Sequence, residues 1–273
     1  MKTYFLSIIS VFSFFIANAQ SITKKAIAKN KVKTITKKEY YTNSSEGCNT
    51  STTTYDSKGN TIKWDMKRLG FFFEYKYDEQ DRKIELIRKS KSDSTDVYIM
   101  KTTYDEQGNI LIDNGTEYQN FYDKKNHLIK SVKLDDDENT ANNLLKTYQY
   151  DSSGNLIKEV HFENTKIVNT ILYEYDTFCR LVEKREYDKS SIKYRNEEYA
   201  KYKKPIAYFL SNISYDELGR IKEEYSYFSD PCISIDDHYT FKNFYKLSDL
   251  LERTEVFFRD KHVSTTNYSY TFY

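Results

Sequence analysis

The groups able to do chemistry in this 273-residue chain are four histidines, three cysteines and a large pool of carboxylates. His127, His161, His238 and His262 lie far apart, with no His-x-x-x-His or Cys-x-x-Cys spacing, so a zinc site is not indicated. The chain has no Gly-x-Ser-x-Gly elbow, no phosphate-binding Gly-x-x-x-x-Gly-Lys and no dinucleotide fingerprint. With 41 Asp and Glu, no carboxylate pair stands out as a glycoside-hydrolase couple. The run Asp135-Asp136-Asp137-Glu138 offers oxygen ligands for calcium, yet it lacks the Asp-x-Asp-x-Asp-Gly loop and reads as a solvated hairpin tip. The residues therefore point to no catalytic group, no cofactor and no metal. The cysteines allow one disulfide at most. Cys48 and Cys232 lie in loop-like contexts, Glu46-Gly-Cys-Asn and Asp230-Pro-Cys-Ile, and form the candidate pair, while Cys179 replaces a turn glycine.

What positions these groups is a stretch that the chain keeps rewriting, Tyr148-Gln-Tyr150-Asp151-Ser-Ser-Gly154-Asn155-Leu156-Ile-Lys158. It reads as one β-hairpin, with alternating tyrosines entering, Asp151 to Gly154 turning and Leu156 to Val160 leaving. Asp at the first turn position accepts hydrogen bonds from backbone N–H groups two or three residues on, and Gly at the fourth adopts φ > 0, as in a type I turn followed by a glycine bulge. Intact copies are Tyr55-Asp56-Ser-Lys-Gly59, Tyr104-Asp105-Glu-Gln-Gly108 and Tyr215-Asp216-Glu-Leu-Gly219. Decayed copies begin at Tyr77, Tyr122, Tyr175 and Tyr245, most with Asn or Asp in the glycine place, side chains that tolerate a left-handed backbone. The repeat tyrosines are spaced by 22, 27, 18, 28, 25, 40 and 30 residues, as expected of stacked supersecondary units. A truncated copy, Tyr187-Asp188-Lys189-Ser190-Ser191, sits in the longest gap.

These motifs resemble the Rhs or YD-repeat family, whose repeat runs Tyr-Asp-x-x-Gly-Arg/Asn-Leu. Asn60, Arg82, Asn109, Asn155, Arg180 and Arg220 match the Arg/Asn position, and Ile110, Leu128, Leu156, Leu181 and Ile221 the next one. The resemblance spans roughly Tyr55 to Arg253 and implies a short secreted bacterial relative built of hairpins. Large members wind dozens of repeats into a shell around a toxin. This chain has few repeats, no recognisable self-cleaving core domain and no cargo-like C-terminal segment, so the hairpin carries over and the toxin does not.

Residues 1–19 read as a signal peptide: Lys2, an apolar run from Tyr4 to Ile16, and Ala17-Asn18-Ala19 before Gln20. The apolar run is short of the ~20 residues of a membrane span. Export would leave the product secreted, periplasmic or at the cell surface. Without Lys2 the chain has 41 basic and 41 acidic residues, which argues against a nucleic-acid partner. Ser21 to Lys38 is the local exception, with seven lysines and no acid. It reads first as a solvated, lysine-protected edge strand over Val32 to Thr36, and otherwise as an electrostatic foot for an anionic surface. The expected organisation is a basic segment and first strand over 20–47 and a repeat domain over 48–273.

With 27 Tyr and 17 Phe the composition suits pleated, half-buried surfaces. About sixteen strands are implied, in an all-β array of antiparallel hairpins forming one elongated, curled sheet, its partial closure left open. One short helix is expected over Asn196 to Lys204. Ile62, Trp64 and Met66 alternate cleanly with polar residues, but Phe71-Phe72-Phe73, Leu128-Ile129 and Leu181-Val182 do not, which suggests cover on both faces, by curling or by a partner. The function these features favour is a non-catalytic scaffold or adhesion module that binds a surface glycan or protein through exposed tyrosines. The alternatives are a hydrolase with an unrecognised carboxylate site and a fragment-like relative of the toxin-delivery shells. An outer-membrane barrel is disfavoured by Glu74, Lys76, Lys158 and Glu223 within strands.

Overall fold

The structure, a computed structural model, describes residues 23–42, 48–134, 145–163, 165–188, 209–230 and 235–273. They form one short helix, α1 (Lys24–Lys29), and eighteen strands. In chain order these are β1 (Val32–Tyr41), β2 (Asn49–Tyr55), β3 (Thr61–Met66), β4 (Phe71–Tyr77), β5 (Lys83–Ser90) and β6 (Val97–Tyr104). There follow β7 (Ile110–Asp113), β8 (Thr116–Tyr122), β9 (Leu128–Leu134), β10 (Leu145–Tyr150), β11 (Leu156–Glu163) and β12 (Lys166–Tyr175). The last six are β13 (Leu181–Asp188), β14 (Phe209–Tyr215), β15 (Ile221–Asp230), β16 (Ile235–Tyr245), β17 (Leu251–Phe258) and β18 (Lys261–Phe272).

Each strand pairs antiparallel with the next, and β18 returns to pair with β1 from Val32↔Phe272 to Tyr41↔Ser264. The sheet is therefore a closed eighteen-stranded barrel, not the open, curled array expected from the hairpins alone. The eight repeat hairpins account for sixteen strands. β1 and β18 supply the other two, and together they close the ring. The edge-strand reading of the lysine-rich segment is corrected by the same pairing, because β1 is bonded on both sides, to β18 and to β2. Closure leaves no edge for lysine to protect.

The expectation for 20–47 contained no helix. α1 forms because Thr23 caps it, its Oγ1 accepting from Ala26 N at 3.1 Å, and because Ala26 and Ile27 give it a buried face. Six residues are too few to hold a helix in water, so packing decides it. Ile27 enters a core with Val32, Ile35, Tyr55, Leu250, Leu251 and Tyr268. The other expected helix, Asn196 to Lys204, lies outside the described residues.

Register assigns the faces. Ile35↔Thr53, Lys184↔Ser211, Ser211↔Ser226 and Thr254↔Asn243 are buried pairs on one side of the sheet, which is the barrel interior. The other side carries Lys76–Glu85, Lys89–Glu74 and Lys242–Glu223 ion pairs. A lysine on a lipid-facing barrel wall costs about 2–4 kcal/mol at the bilayer midplane. No helix among the described residues is long and apolar enough to cross a membrane.

The broken alternation has local causes. Phe71 and Phe73 face inward beside Trp64, whose ring is 5.6 Å from that of Phe73, while Phe72 faces out under Lys63 Nζ at 4.1 Å. At Leu128-Ile129 and Leu181-Val182 the register slips, because Tyr122 pairs with Leu128 and Tyr175 with Leu181 and the following residue is left over in a bulge. Ile129 is accordingly 39% exposed, and no second covering layer is involved there.

Parity places the turns. Every repeat turn joins an even strand to the next odd one, so all eight lie at the same end of the barrel. Tyr187 and Asp188 end an odd strand and so fall at the opposite end, which removes them from the repeat series.

Candidate functional site

At the Tyr150 turn, Gly154 N donates to Asp151 O at 3.1 Å and Asp151 N to Asn155 O at 3.0 Å. The Asp151 carboxylate caps the loop, Oδ1 accepting from Ser153 N at 2.9 Å and Asn155 N at 2.8 Å, and Oδ2 from Asn155 Nδ2 at 2.9 Å. The donors are thus two and four residues on, not two and three. These hydrogen bonds, that of the Asn155 side chain foremost, hold the Asp151 carboxyl below its ordinary range. Gly59, Gly108, Gly154 and Gly219 have φ of 84°, 86°, 87° and 77°, and their replacements Asp81, Asn126, Cys179 and Asp249 have 61°, 64°, 58° and 64°. Asp56, Asp105 and Asp216 make the same backbone contact to the residue four on, at 2.8, 2.8 and 2.9 Å.

The repeat tyrosines tie each turn to the one before. Tyr77, Tyr104, Tyr150, Tyr175, Tyr215 and Tyr245 donate to the carbonyls of Thr61, Lys83, Leu128, Leu156, Leu181 and Ile221, the opening residues of the preceding outgoing strands, at 2.7–3.0 Å. Tyr122 departs from the rule: Asn120 Nδ2 donates to the corresponding Ile110 carbonyl at 2.9 Å, and the Tyr122 hydroxyl goes to the Asp105 carboxylate. Tyr270 continues the series by donating to Leu251 O, and Tyr273 spans the β18–β1 seam in the opposite sense by donating forward to Tyr55 O. The Arg/Asn position supplies a second rung. Arg82, Arg180 and Arg220 bind their own turn aspartates at 2.7 Å through Nε and lie 4.8, 4.5 and 4.6 Å from the ring centroids of Tyr104, Tyr215 and Tyr245 in the next repeat. His127 does the same by stacking on Tyr150 at 4.7 Å. Burial pushes the Tyr77 and Tyr245 hydroxyls up to about 12. The repeat tyrosines are thus spent on the ring, while Tyr40, Tyr41 and Tyr98 stay exposed.

A polar network lines the interior from β10 to β15. Glu159 meets His161 Nε2 at 2.5 Å, Lys146 Nζ at 4.0 Å and Tyr173 Oη at 3.4 Å. Glu186 accepts from Asn169 Nδ2 at 2.6 Å and lies 3.7 Å from Lys184 Nζ. Glu224, 2% exposed, accepts from Ser211 Oγ at 2.9 Å and Ser226 Oγ at 3.3 Å through Oε1, while Oε2 is a buried acceptor with no hydrogen-bond partner. Burial raises the Glu224 pKa. For Glu159 burial acts in the same direction but is outweighed by the hydrogen bond and charge of His161, which leave it lowered. Two carboxylates pushed apart in this way are the pattern of an acid and a base. Here they stand on β11 and β15, four strand spacings or about 19 Å along the sheet. Glycosidase pairs are about 5–9.5 Å apart, so these two do not form one couple.

Cys48 is a free thiol 3.6 Å from Thr50 Oγ1, and Cys179 is an exposed free thiol in a repeat turn. Cys232, the acidic run Asp135 to Glu138 and the Ala19–Gln20 junction lie outside the described residues. His238 and His262 stand on the outer wall, His238 stacked 5.7 Å from Tyr225 and His262 bonded to Thr42 and Thr265. No group of three potential metal ligands occurs among the described residues. Sequence reasoning missed Tyr270 and Tyr273 as rungs, because no Asp-x-x-Gly follows them. It also passed over Phe178, Leu218 and Leu247, turn-tip residues whose exposure of 76%, 70% and 107% was legible in their position two or three residues after a repeat tyrosine.

The geometry defines an antiparallel barrel of Tyr-Asp hairpins whose turns are linked around one rim. Neither a protein-family model nor a curated protein matches the sequence. Among solved structures, TcdB2-TccC3 without its hypervariable C-terminal region is similar at 15% identity over 82% of this chain and 10% of that one, with a TM-score of 0.37. A porin-like protein from Bacteroides uniformis is similar at 9% identity over 88% of this chain and 98% of that one, with a TM-score of 0.41. The Photorhabdus luminescens Tc holotoxin pore gives 13% identity, 85% and 14% coverage and a TM-score of 0.38. The chain thus spans about a tenth of the length of the first of these structures.

Proposed function

We propose that this chain is an exported, non-catalytic binding module of the YD-repeat kind, a closed scaffold that presents its surface to a cell-surface glycan or protein. The observation that carries the reading is the ring itself. The Tyr and Asp side chains that recur through the chain are consumed in linking one turn to the next, so the repeat is a building unit rather than a site copied eight times. Recognition then falls to side chains that the ring does not use. The test is a glycan array and a surface-protein capture with the purified chain, run beside generic esterase, phosphatase and glycosidase substrates. Saturable binding without turnover is expected, and turnover abolished by one carboxylate substitution would overturn it. Export is tested by intact mass: protein recovered outside the cytoplasm should begin at Gln20, and retention of Met1 would refute cleavage there.

A second reading, a hydrolase working on the inner face, is favoured by the buried Glu224 with its raised pKa and its partnerless oxygen. The about 19 Å that separates it from Glu159 argues against it. Glu224→Gln in the same turnover screen decides the matter.

A further inference from the structure

Three consecutive turns around the rim differ from the rest. The β12–β13, β14–β15 and β16–β17 turns present Phe178, Leu218 and Leu247 at 76%, 70% and 107% exposure. At the same two turn positions every other repeat carries only Ser, Lys, Glu or Gln. The turn geometry therefore does not require these apolar tips. None of the three side chains takes part in the ring's hydrogen bonds, which run through the neighbouring Asp, Tyr and Arg. The Phe178 ring lies 5.0 Å from the guanidinium of Arg180. Turns two strands apart stand about 9.6 Å from each other, so the three tips form an arc of about 20 Å. Exposed apolar side chains gathered on neighbouring turns in this way mark an interaction surface.

A separate observation says what covers it. The lysine-only segment folds onto this same rim as α1, and is fastened directly beside Leu247. Asn30 Nδ2 donates to Ser248 O at 3.0 Å, and Lys29 Nζ lies 3.2 Å from Asp249 Oδ2. Lys25 and Lys31, at either end of the helix, are exposed. Apolar tips next to exposed lysines complement a surface with an apolar interior and anionic headgroups.

We propose that this rim docks onto an anionic lipid surface, with Phe178, Leu218 and Leu247 entering the boundary between headgroups and acyl chains while the lysines of α1 meet the lipid phosphates. The barrel stands on the membrane by its turns and does not span it. The proposal is independent of the glycan or protein reading, whose array test can fail while this one stands.

The test is co-sedimentation of the processed chain with vesicles of phosphatidylcholine containing 30% phosphatidylglycerol, and with phosphatidylcholine alone. The wild type should partition onto the anionic vesicles, and F178S/L218S/L247S should lose at least tenfold. K25E/K31E should lose binding to anionic vesicles while leaving any residual binding to neutral ones unchanged. Unaltered urea midpoints show that the variants remain folded. Should the triple variant melt early, L247S alone, at a side chain fully open to solvent, is expected to lose at least twofold. A wild type that stays in the supernatant overturns the proposal, as does a triple variant that binds equally well. Self-association in sedimentation equilibrium that depends on the three tips, without vesicle binding, would reassign the rim to a second copy of the chain and likewise overturn it.

Discussion

On β14–β18 the inner wall mixes small side chains with buried aromatics such as Phe209 and Tyr268 and is sealed, whereas on β3–β8 the inner aromatics are half open. Ser211, Ser226, Ser264, Glu224 and Thr254 are 1–3% exposed in the first sector. In the second, Trp64, Phe71, Phe73, Tyr75 and Met100 are only half-buried, and the one buried strand residue, Ile87, pairs on the outer wall with Ile99. Side-chain hydrophobicity does not decide burial here; cover does. The sealed sector has long strands, reaching twelve residues in β18, while the open sector contains the four-residue β7. At the rim the sealed sector also has α1, whose Ile27 packs against Leu250, Leu251 and Tyr268.

The contrast can be broken most directly at two glycines in the same turn position. A Cβ on Gly59, with φ +84°, would meet Lys24 O of α1 at 2.5 Å, while one on Gly108, with φ +86°, meets nothing within 4 Å. Gly59→Ala should cost about 3 kcal/mol or more, and Gly108→Ala about 1 kcal/mol from backbone strain alone. Equal urea midpoints would mean that α1 is not packed against the β2–β3 turn. Next in size, Ser226→Leu should cost about 2–3 kcal/mol by overpacking, and Thr116→Leu, on the inner face of the open sector, about 0.5 kcal/mol or less. Similar losses at both would erase the distinction between the two walls. The ring predicts a smaller loss that both sectors share. Tyr215→Phe removes the hydrogen bond to Leu181 O at 2.8 Å and should cost about 1 kcal/mol, and Tyr104→Phe, with a more exposed bond to Lys83 O, should cost less. Thermal melts of the two variants rank them.

The smallest effect is a gain. Burial raises the Glu224 pKa in the folded chain above its unfolded value, so the protonated group favours folding at low pH, and that contribution is lost as pH rises through the folded pKa. Glu224→Gln removes this titration. Its urea midpoint should lie slightly above wild type at pH 7.5, with the gap closing at pH 4. A lower midpoint at pH 7.5 would show that the Ser211 and Ser226 contacts outweigh the desolvation.

The hairpin was legible because one residue in each turn has an unusual backbone demand. Gly154 and its replacement Asn126 both sit at positive φ, and a short list of side chains does so readily, which leaves a periodic mark in the sequence. Closure left no such mark. It depends on Ile35↔Tyr270 and its neighbours, a pairing between segments some 230 residues apart with no turn between them. The lysines of β1 misled for a related reason. Lys37 reads as a solvent-facing edge residue, yet it is buried deeply enough to bring its pKa down to about 8, with its ammonium 5.6 Å from the Tyr268 ring. A long side chain can lay its stem along an aromatic face, and alternation alone does not reveal which face a lysine takes. The carboxylate network of the inner wall was equally hidden, since Glu159 and Glu186 join it through cross-strand register rather than spacing along the chain.

The tyrosine rungs give each hairpin a direction, with a donor offered to the hairpin before it and an acceptor carbonyl left for the one after. Tiles with this polarity assemble one way round, as vectors joined head to tail. In a spiral of such tiles the first donor and the last acceptor would face solvent at opposite ends, and the array could be extended by adding another hairpin at either. Here the last repeat carbonyl, Leu251 O, takes the hydroxyl of Tyr270 on β18, and Tyr273 reaches forward across β1 to Tyr55 O, so neither end of the series is left open. Lengthening the array by one repeat would mean opening that seam and widening the circumference by two strands at once. Ring size in this architecture therefore changes in whole hairpins.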